Sequence, residues 1–283
     1  MRIATWNINS VRRREKLLRE WLEQTTPDVL LLQEIKCEEG QFPAAIFLSL
    51  GYEALVVGEK AYNGVAVLSR HKMKERLRAL PGEKSGAARY LEVEVGDVIV
   101  SSLYLPNGNP TENGAGEKFL YKLSWLESFA AHARDLLRLE RPVVLGGDYN
   151  IIPSARDCLD AEAWSGDALF RPESRRAFRA LLNSGWTDAL DDETSPVRVD
   201  RDRAPWTYWS YRGGAFAADD GIRIDHFLLS PSAADRLKSG GVDRDARADK
   251  DASDHAPVWC ELREGDAAAD APADPAAVSD APA

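Results

Sequence analysis

Sulfur chemistry is scarce in this chain. Cysteine occurs three times in 283 residues, at Cys37, Cys158 and Cys260, widely separated and with no CxxC pair. Three thiols cannot all pair within one chain, so buried, inert thiols in a reducing compartment are expected rather than a disulfide framework or a catalytic cysteine. No apolar run approaches the roughly 20 residues that a bilayer span needs. The chain opens on MRIATWNI without a basic-apolar-small leader, so a cytoplasmic location with no membrane contact is expected. Positive charge is also short: 36 Lys and Arg stand against 46 Asp and Glu, a net charge of −10. That is the wrong sign for a binder of polyanions, whose affinity normally comes from Lys and Arg. The excess is uneven, however. Glu264, Asp266, Asp270, Asp274 and Asp280 fall in the last twenty residues, where there are no bases, and a divalent cation held by acids would lower the effective charge further. Composition therefore neither supports nor excludes a nucleic-acid partner.

What is present is ordinary for a globular protein: 44% hydrophobic residues with eight each of Trp, Tyr and Phe. One large domain over residues 1–262 is expected, with no linker or internal repeat dividing it. Residues 263–283, rich in Ala, Asp and Pro, lack the apolar side chains that would repay ordering and read as a disordered tail. Strands are expected at 2–8, 28–33, 52–57, 64–69, 90–95, 98–105, 142–145, 206–211, 222–229 and 257–262, each a β-rich run with Gly or Asn punctuation. Helices are expected after Ser10, with Leu17, Leu18, Trp21 and Leu22 on one face, over 117–139, and over 174–183. Apolar strands with few helices imply an α/β sandwich, two packed sheets with helices outside.

Several apolar runs end in a polar residue that the run does not need: Asn7, Glu34, Tyr104, Asp148 with Asn150, Asp225, and Asp254-His255. Strand ends are where a rigid scaffold hands residues to a site, although Asp, Asn and Glu also cap strands and start turns. A carboxylate after LLLQ is costly unless it meets a cation or base, and Mg²⁺ suits Glu34, with Asn7 and Asp254 as further donors. The two glycines before Asp148 let backbone and substrate approach closely, so Asp148 can orient or deprotonate a water. His255 is one of four histidines. A lone histidine is more often structural, but Asp225 at another strand end could hold its tautomer and stabilise its protonated form. No nucleophilic Ser or Cys motif such as GxSxG is found, which makes phosphate a more natural target than an acyl group.

The segments WNINS, LLQEIK, NGVAVLSR, YLPNGNP, GGDYNI, GIRIDHFLLS and SDHAPVW resemble, in order, those of exodeoxyribonuclease III and the related apurinic/apyrimidinic endonucleases. The resemblance implies a four-layer, deoxyribonuclease I-like α/β sandwich of two mixed β-sheets flanked by helices. It implies a DNA-repair phosphodiesterase using Mg²⁺, with Mn²⁺ as a substitute. Its substrate would be double-stranded DNA with abasic sites or 3′ ends, including 3′ blocking groups, and it would work as a monomer. By match, Glu34 would ligate the metal with Asn7, Asn9 and Asp254 close by. Asp148 would orient or activate water, Asn150 would bond the scissile phosphate, Tyr104 would assist there or at the leaving group, and His255 with Asp225 would stabilise the transition state. Asp148, Asn150 and His255 are also candidate metal contacts. Arg89, Asn107 and Arg223 are candidate phosphate contacts. Trp206, Tyr208, Trp209 and Tyr211, with Ile222 and Ile224 as walls, resemble an abasic-sugar pocket, the alternative being a strand that buries its aromatics. Residues 153–205 match loosely. A phosphomonoesterase or phospholipase of the same superfamily, acting on other phosphates, and a catalytically silent DNA-binding module are the competing readings.

Overall fold

The computed structural model describes residues 1–111, 116–191 and 205–265. The expected tail lies almost wholly outside these residues, as does part of the loosely matching stretch. In chain order the elements are β1 (Arg2–Asn7), α1 (Glu15–Thr25), β2 (Val29–Gln33), α2 (Ala44–Ser49), β3 (Glu53–Val57), β4 (Val65–Ser69), β5 (Met73–Leu77), β6 (Tyr90–Val95), β7 (Val98–Tyr104), α3 (Glu117–Leu137), β8 (Val143–Asp148), α4 (Pro172–Asn183), β9 (Thr187–Asp188), β10 (Asp225–Leu229), α5 (Pro231–Ala234), β11 (Leu237–Val242) and β12 (Val258–Leu262).

The strands form two six-stranded sheets, β11-β12-β1-β2-β4-β3 and β5-β6-β7-β8-β10-β9. Each has one parallel pair at its centre, β1–β2 and β7–β8, flanked by antiparallel pairs. Because successive side chains point to opposite faces, every central strand feeds two cores. Ile3, Val29, Leu31, Val100, Val144, Phe227 and Leu229 meet between the sheets. On the outer face of the first sheet, Ala4, Trp6, Leu30 and Leu32 pack on Leu18, Trp21 and Leu22 of α1 and Phe47 of α2. On the outer face of the second, Ile99, Leu103, Val143 and Leu145 pack on Trp125 and Phe129 of α3 and Phe178 and Leu181 of α4. The four-layer sandwich is thus the burial pattern of the strands made three-dimensional. At Gly146 the sheets come so close that a Cβ would stand 2.5 Å from Phe227 Cε1 and 2.6 Å from Leu31 Cδ1.

The space between the sheets changes character along the strands. Past the aliphatic layer, the Gln33 amide donates to the hydroxyls of Thr5 and Ser102, both at 3.0 Å, and Ser102 Oγ donates to Leu32 O at 2.9 Å. Two residues further on, the same faces present Asn7, Tyr104 and Asp148.

Three expectations are corrected. Residues 206–211 form no strand; Tyr208 makes only isolated bridges to Ile222 and His255. The strand expected at 222–229 starts at Asp225, since Ile222 to Ile224 sit at its approach. Strands β5, β9 and β11 lie outside the expected set: MKERL is mostly charged and partly exposed, β9 is only two residues long, and the glycines of β11 weaken any strand signal.

Candidate active site

The polar end of the sandwich is where β1, β2, β7 and β8 finish and where β10 and β12 begin. Tyr104 lies opposite Asp148 in the β7–β8 register, and Asp225 lies opposite Asp148 in the β8–β10 register. Glu34 follows β2 directly and His255 precedes β12. Thr207 Oγ1 accepts from the backbone N–H groups of Ile224 and Asp225 at 3.0 and 3.1 Å, which fixes the entry to β10.

Two buried carboxylates facing each other repel unless a cation intervenes. His255 supplies one: its Nδ1 bonds Asp225 Oδ2 at 2.8 Å and its Nε2 stands 3.8 Å from Asp148 Oδ2. Burial disfavours the imidazolium, but the charges of Asp225 and Asp148 outweigh it and raise His255 to about 10. Asp148 is pushed up to about 7, first by burial, with the Asp225 charge adding to it against the pull of His255 and the Asn7 amide. The Trp6 indole N–H donates to His255 O at 3.0 Å, and the Tyr208 ring packs edge-on against the imidazole at 5.0 Å.

Asn7 joins the two sheets, its amide donating to Glu34 Oε1 and to Asp148 Oδ2, both at 2.9 Å. Lys36 bridges Glu34 Oε2 at 2.8 Å and Asn9 Oδ1 at 2.6 Å, while Asn9 Nδ2 donates to Asp254 Oδ1 at 3.1 Å. Asp254 is therefore connected to Glu34 through Asn9 and Lys36 rather than side by side. Burial opposes the charge on Glu34, but Lys36 and the Asn7 amide hold its pKa below the usual range. On the other side, the Asn150 amide donates to Leu105 O at 2.9 Å, and Asn107 Nδ2 donates to Asn150 Oδ1 at 3.0 Å. Asn9, Glu34, Lys36 and Asn150 all take positive φ, between 46° and 52°. Such backbone strain, roughly 1–3 kcal/mol per residue, gathers where function over-determines the geometry.

The donor set fits a hard divalent cation. Glu34, Asn7 and Asp254 offer oxygen ligands. Ligand atoms of Asp148, Asp225 and His255 also lie within 4.8 Å of one another, and Asp225 Oδ1 is buried with no hydrogen-bond partner among the described residues. Each cluster already holds one cationic side chain, the imidazolium here and Lys36 at Glu34; Lys36 is the more exposed and the freer to give way to a cation.

Residues 4–255 match the profile of the Endonuclease/Exonuclease/phosphatase family. Exodeoxyribonuclease III of Haemophilus influenzae is 33% identical over 279 residues, spanning 93% of this chain and 100% of that protein. The chain belongs to this family. Its place is in the exodeoxyribonuclease III branch, and it is a hydrolase of that type. Among solved structures, an AP endonuclease from Archaeoglobus fulgidus superposes with a TM-score of 0.85 at 29% identity, over 93% of this chain and 99% of that one. The 3′ phosphatase NExo from Neisseria, bound to a product DNA hairpin, gives 0.84 at 36% identity over 93% and 100%.

Within this family member the outer residues divide. Arg89 donates to Tyr104 O at 3.2 Å and lies 4.5 Å over the Tyr104 ring, at the rim of the site. Tyr208 is half-buried and, with Ile222, Trp164, Asp160 and Asp220, lines an open cleft of about 450 Å³. Trp209 is fully buried beside Ala215, Ala256 and Trp206, so that part of the aromatic segment is core. Arg223 is a correction: it is 2% exposed and held by Asp157 at 2.6 Å and Asp188 at 2.7 Å. Its guanidinium serves two buried acids and does not face a phosphate. Sequence reasoning missed Lys122, wholly buried on α3, whose ammonium donates to Asn150 O at 2.5 Å and Asn107 O at 3.1 Å. Its signal was a lysine on the face of the expected helix that carries Phe119, Leu123 and Leu126. Lys36, inside LLQEIK, is a second such residue, since its contacts to Glu34 and Asn9 depend on the left-handed turn after β2.

Proposed function

We propose that this protein is a Mg²⁺-dependent DNA-repair nuclease acting on double-stranded DNA as a 3′–5′ exonuclease and at abasic sites, that it also removes 3′ blocking groups, and that it works as a monomer. The observation that carries the reading is the buried Asp148–His255–Asp225 arrangement, with 3.8 and 2.8 Å separations; the adjacent Ser253 hydroxyl donates to Asn7 O at 2.6 Å and not to the imidazole. Water is then the attacking group. Asp148, poised near neutrality, accepts its proton, as a general base does best when its pKa lies near the working pH. The His255 imidazolium, steadied by Asp225, offsets charge developing on the phosphoryl oxygens. Tyr104, whose phenol is held well above its usual range by burial and by the charges of Glu34 and Asp148, stays protonated and donates toward the leaving oxygen. Asn150 and Asn107 hold the phosphate from the α3 side. A cation bound by Glu34, Asn7 and Asp254 would supply further charge neutralisation at the same phosphate.

An abasic nucleotide is extruded cheaply because it has no base to unstack, and Tyr208 with Ile222 would receive its sugar. The kinship with exodeoxyribonuclease III and with a 3′ phosphatase supports this substrate over non-nucleic phosphates. The test compares a 5′-labelled duplex carrying one abasic site, a blunt duplex and a 3′-phosphate duplex, each with Mg²⁺ and with chelator. Cleavage of all three, lost on chelation, is expected. Phosphate release from soluble inositol phosphates, with the DNA intact, would refute the reading.

A further inference from the structure

Arg14 is 4% exposed, yet it has no carboxylate partner among the described residues. Its guanidinium is bound by neutral oxygens alone. Nε donates to Asp251 O at 2.9 Å, Nη1 to Ile8 O at 3.2 Å and also to Asn9 O, and Nη2 to Tyr211 OH at 2.8 Å. These four acceptors lie on three separate loops: the exit of β1, the segment that carries Tyr208, and the approach to Asp254 and His255. Tyr211 completes the junction, its hydroxyl donating to Ala252 O at 3.0 Å and standing 3.5 Å from Asn9 Nδ2. A buried charge is ordinarily paired, because leaving it unpaired costs several kcal/mol even after relaxation. A forked guanidinium spanning three loops is a geometry lysine cannot copy.

We infer that Arg14 is a positioning residue for the cation side of the site: it holds Asn9 in its left-handed conformation, φ 46°, and sets the Asn9–Asp254 hydrogen bond of 3.1 Å. With Arg14 in place, the Asn9 carbonyl is occupied, its amide faces Asp254, and its Oδ1 is left to Lys36. Without it, the loops carrying Asn9 and Asp254 are free to separate, and the oxygen donors around Glu34 lose their preset spacing.

This inference rests on the metal-dependent reading above, so its main readout is cation binding rather than turnover. Arg14→Lys, Arg14→Met and Tyr211→Phe are compared with the parent by calorimetric Mn²⁺ titration of the full chain without DNA, by thermal unfolding, and by the Mg²⁺ midpoint for duplex cleavage. Removing a hydrogen-bond partner that orients a metal-binding group typically weakens metal binding by about 10–100-fold. Both Arg14 variants are expected in that range, and Tyr211→Phe in the same direction but smaller. Cleavage by Arg14→Lys at saturating Mg²⁺ should return to within about threefold of the parent, as expected when binding rather than chemistry is impaired. Unchanged Mn²⁺ affinity in Arg14→Lys and in Tyr211→Phe overturns the inference. If the Arg14→Met chain fails to fold, the exposed Tyr211 variant still decides it. Parent protein that binds Mn²⁺ but cleaves no DNA refutes the proposed function and leaves this inference to stand or fall on the variants' affinities.

Discussion

Asp225→Asn is the sharpest probe of the buried charge arrangement. The substitution keeps size and leaves an amide within reach of His255 Nδ1, so packing around the position survives while one negative charge disappears. Asp225 is the first of the groups that raise His255, ahead of Asp148. A rise from 6.5 to about 10 corresponds to about 5 kcal/mol in favour of imidazolium, at roughly 1.4 kcal/mol per tenfold change in proton affinity. Burial opposes that rise. Without Asp225 the remaining charge of Asp148 has to overcome burial alone, so the imidazole pKa falls back toward 6.5 or below it. Asp148 is also raised by Asp225 and lowered by His255. In the parent, cleavage needs Asp148 ionised and His255 protonated, so kcat/KM should rise through about pH 7, hold a plateau, and fall near pH 10. In the variant the alkaline limb moves down by two or more pH units until the limbs cross, and at pH 8 the rate falls by about 10²–10⁴-fold, the range for a lost acid–base group. Single-turnover cleavage of an end-labelled duplex from pH 5.5 to 10.5 measures both limbs, and thermal unfolding at each pH shows that the fold is kept. An Asp225→Asn enzyme whose alkaline limb stays with the parent's would show that the Asp225 charge does not set the protonation of His255, and the mechanism proposed for the pair would be wrong.

Lys122→Met should lower kcat while leaving DNA binding within about threefold, and should destabilise the fold by about 1–3 kcal/mol for the stranded carbonyls of Asn107 and Asn150. Because burial lowers Lys122 to about 7, the folded state binds this proton less readily than the unfolded one between about pH 7 and 10.5. The parent therefore gains stability over that window and the variant does not, so their difference in denaturant unfolding should widen with pH; a constant difference would mean that burial does not lower the Lys122 ammonium. Arg223→Met leaves Asp157 and Asp188 as buried charges without their cation, and should cost about 3–5 kcal/mol with cleavage little changed at temperatures where the protein is folded. Asp188 is itself held well below the carboxylate range, against burial, by Arg223 and His226. The stability it contributes is present above about pH 4, near the usual aspartate pKa, and is lost as pH falls below it. A neutral-pH stability unchanged in Arg223→Met would refute that assignment. Gly146→Ala forces a Cβ against Phe227 and Leu31, and should cost about 1–3 kcal/mol by denaturant unfolding.

The architecture was readable because strand parity is strict. Every second residue of DVLLLQ, of VIVSSLY and of VVLGGD faces the same side, so apolar runs of this kind implied two packed sheets with helices outside, and the family resemblance supplied the four-layer form. Parity also gathered Asn7, Tyr104, Asp148 and Asp225 on the inter-sheet face. It ceased to help where the chain leaves the sheet. Arg223 stands two residues before Asp225, as an in-facing neighbour would, yet lies ahead of β10, and its partners Asp157 and Asp188 come from segments whose proximity only the fold supplies. Tyr208 and Trp209 show the converse: adjacent residues point opposite ways, one to His255 and one to the core, and the sequence pattern held both without saying which.

Charge is where whole-chain totals mislead most. A net charge of −10 predicts repulsion from DNA if the molecule is treated as a sphere, but phosphate meets the field at one cleft. At the site the structure buries two cations, the His255 imidazolium between two acids and Arg14 among carbonyls, and places the half-buried Lys36 between Glu34 and Asn9. Attraction between charges grows as the local dielectric falls, so buried cations weigh more at the scissile phosphate than exposed acids screened by salt. Raising the salt concentration should therefore weaken capture of duplex at the protein surface more than it alters the chemical step. KM should rise with salt while single-turnover rates at saturating enzyme stay nearly flat, and a chemical step as salt-sensitive as binding would mean that exposed residues, not these buried ones, provide the field.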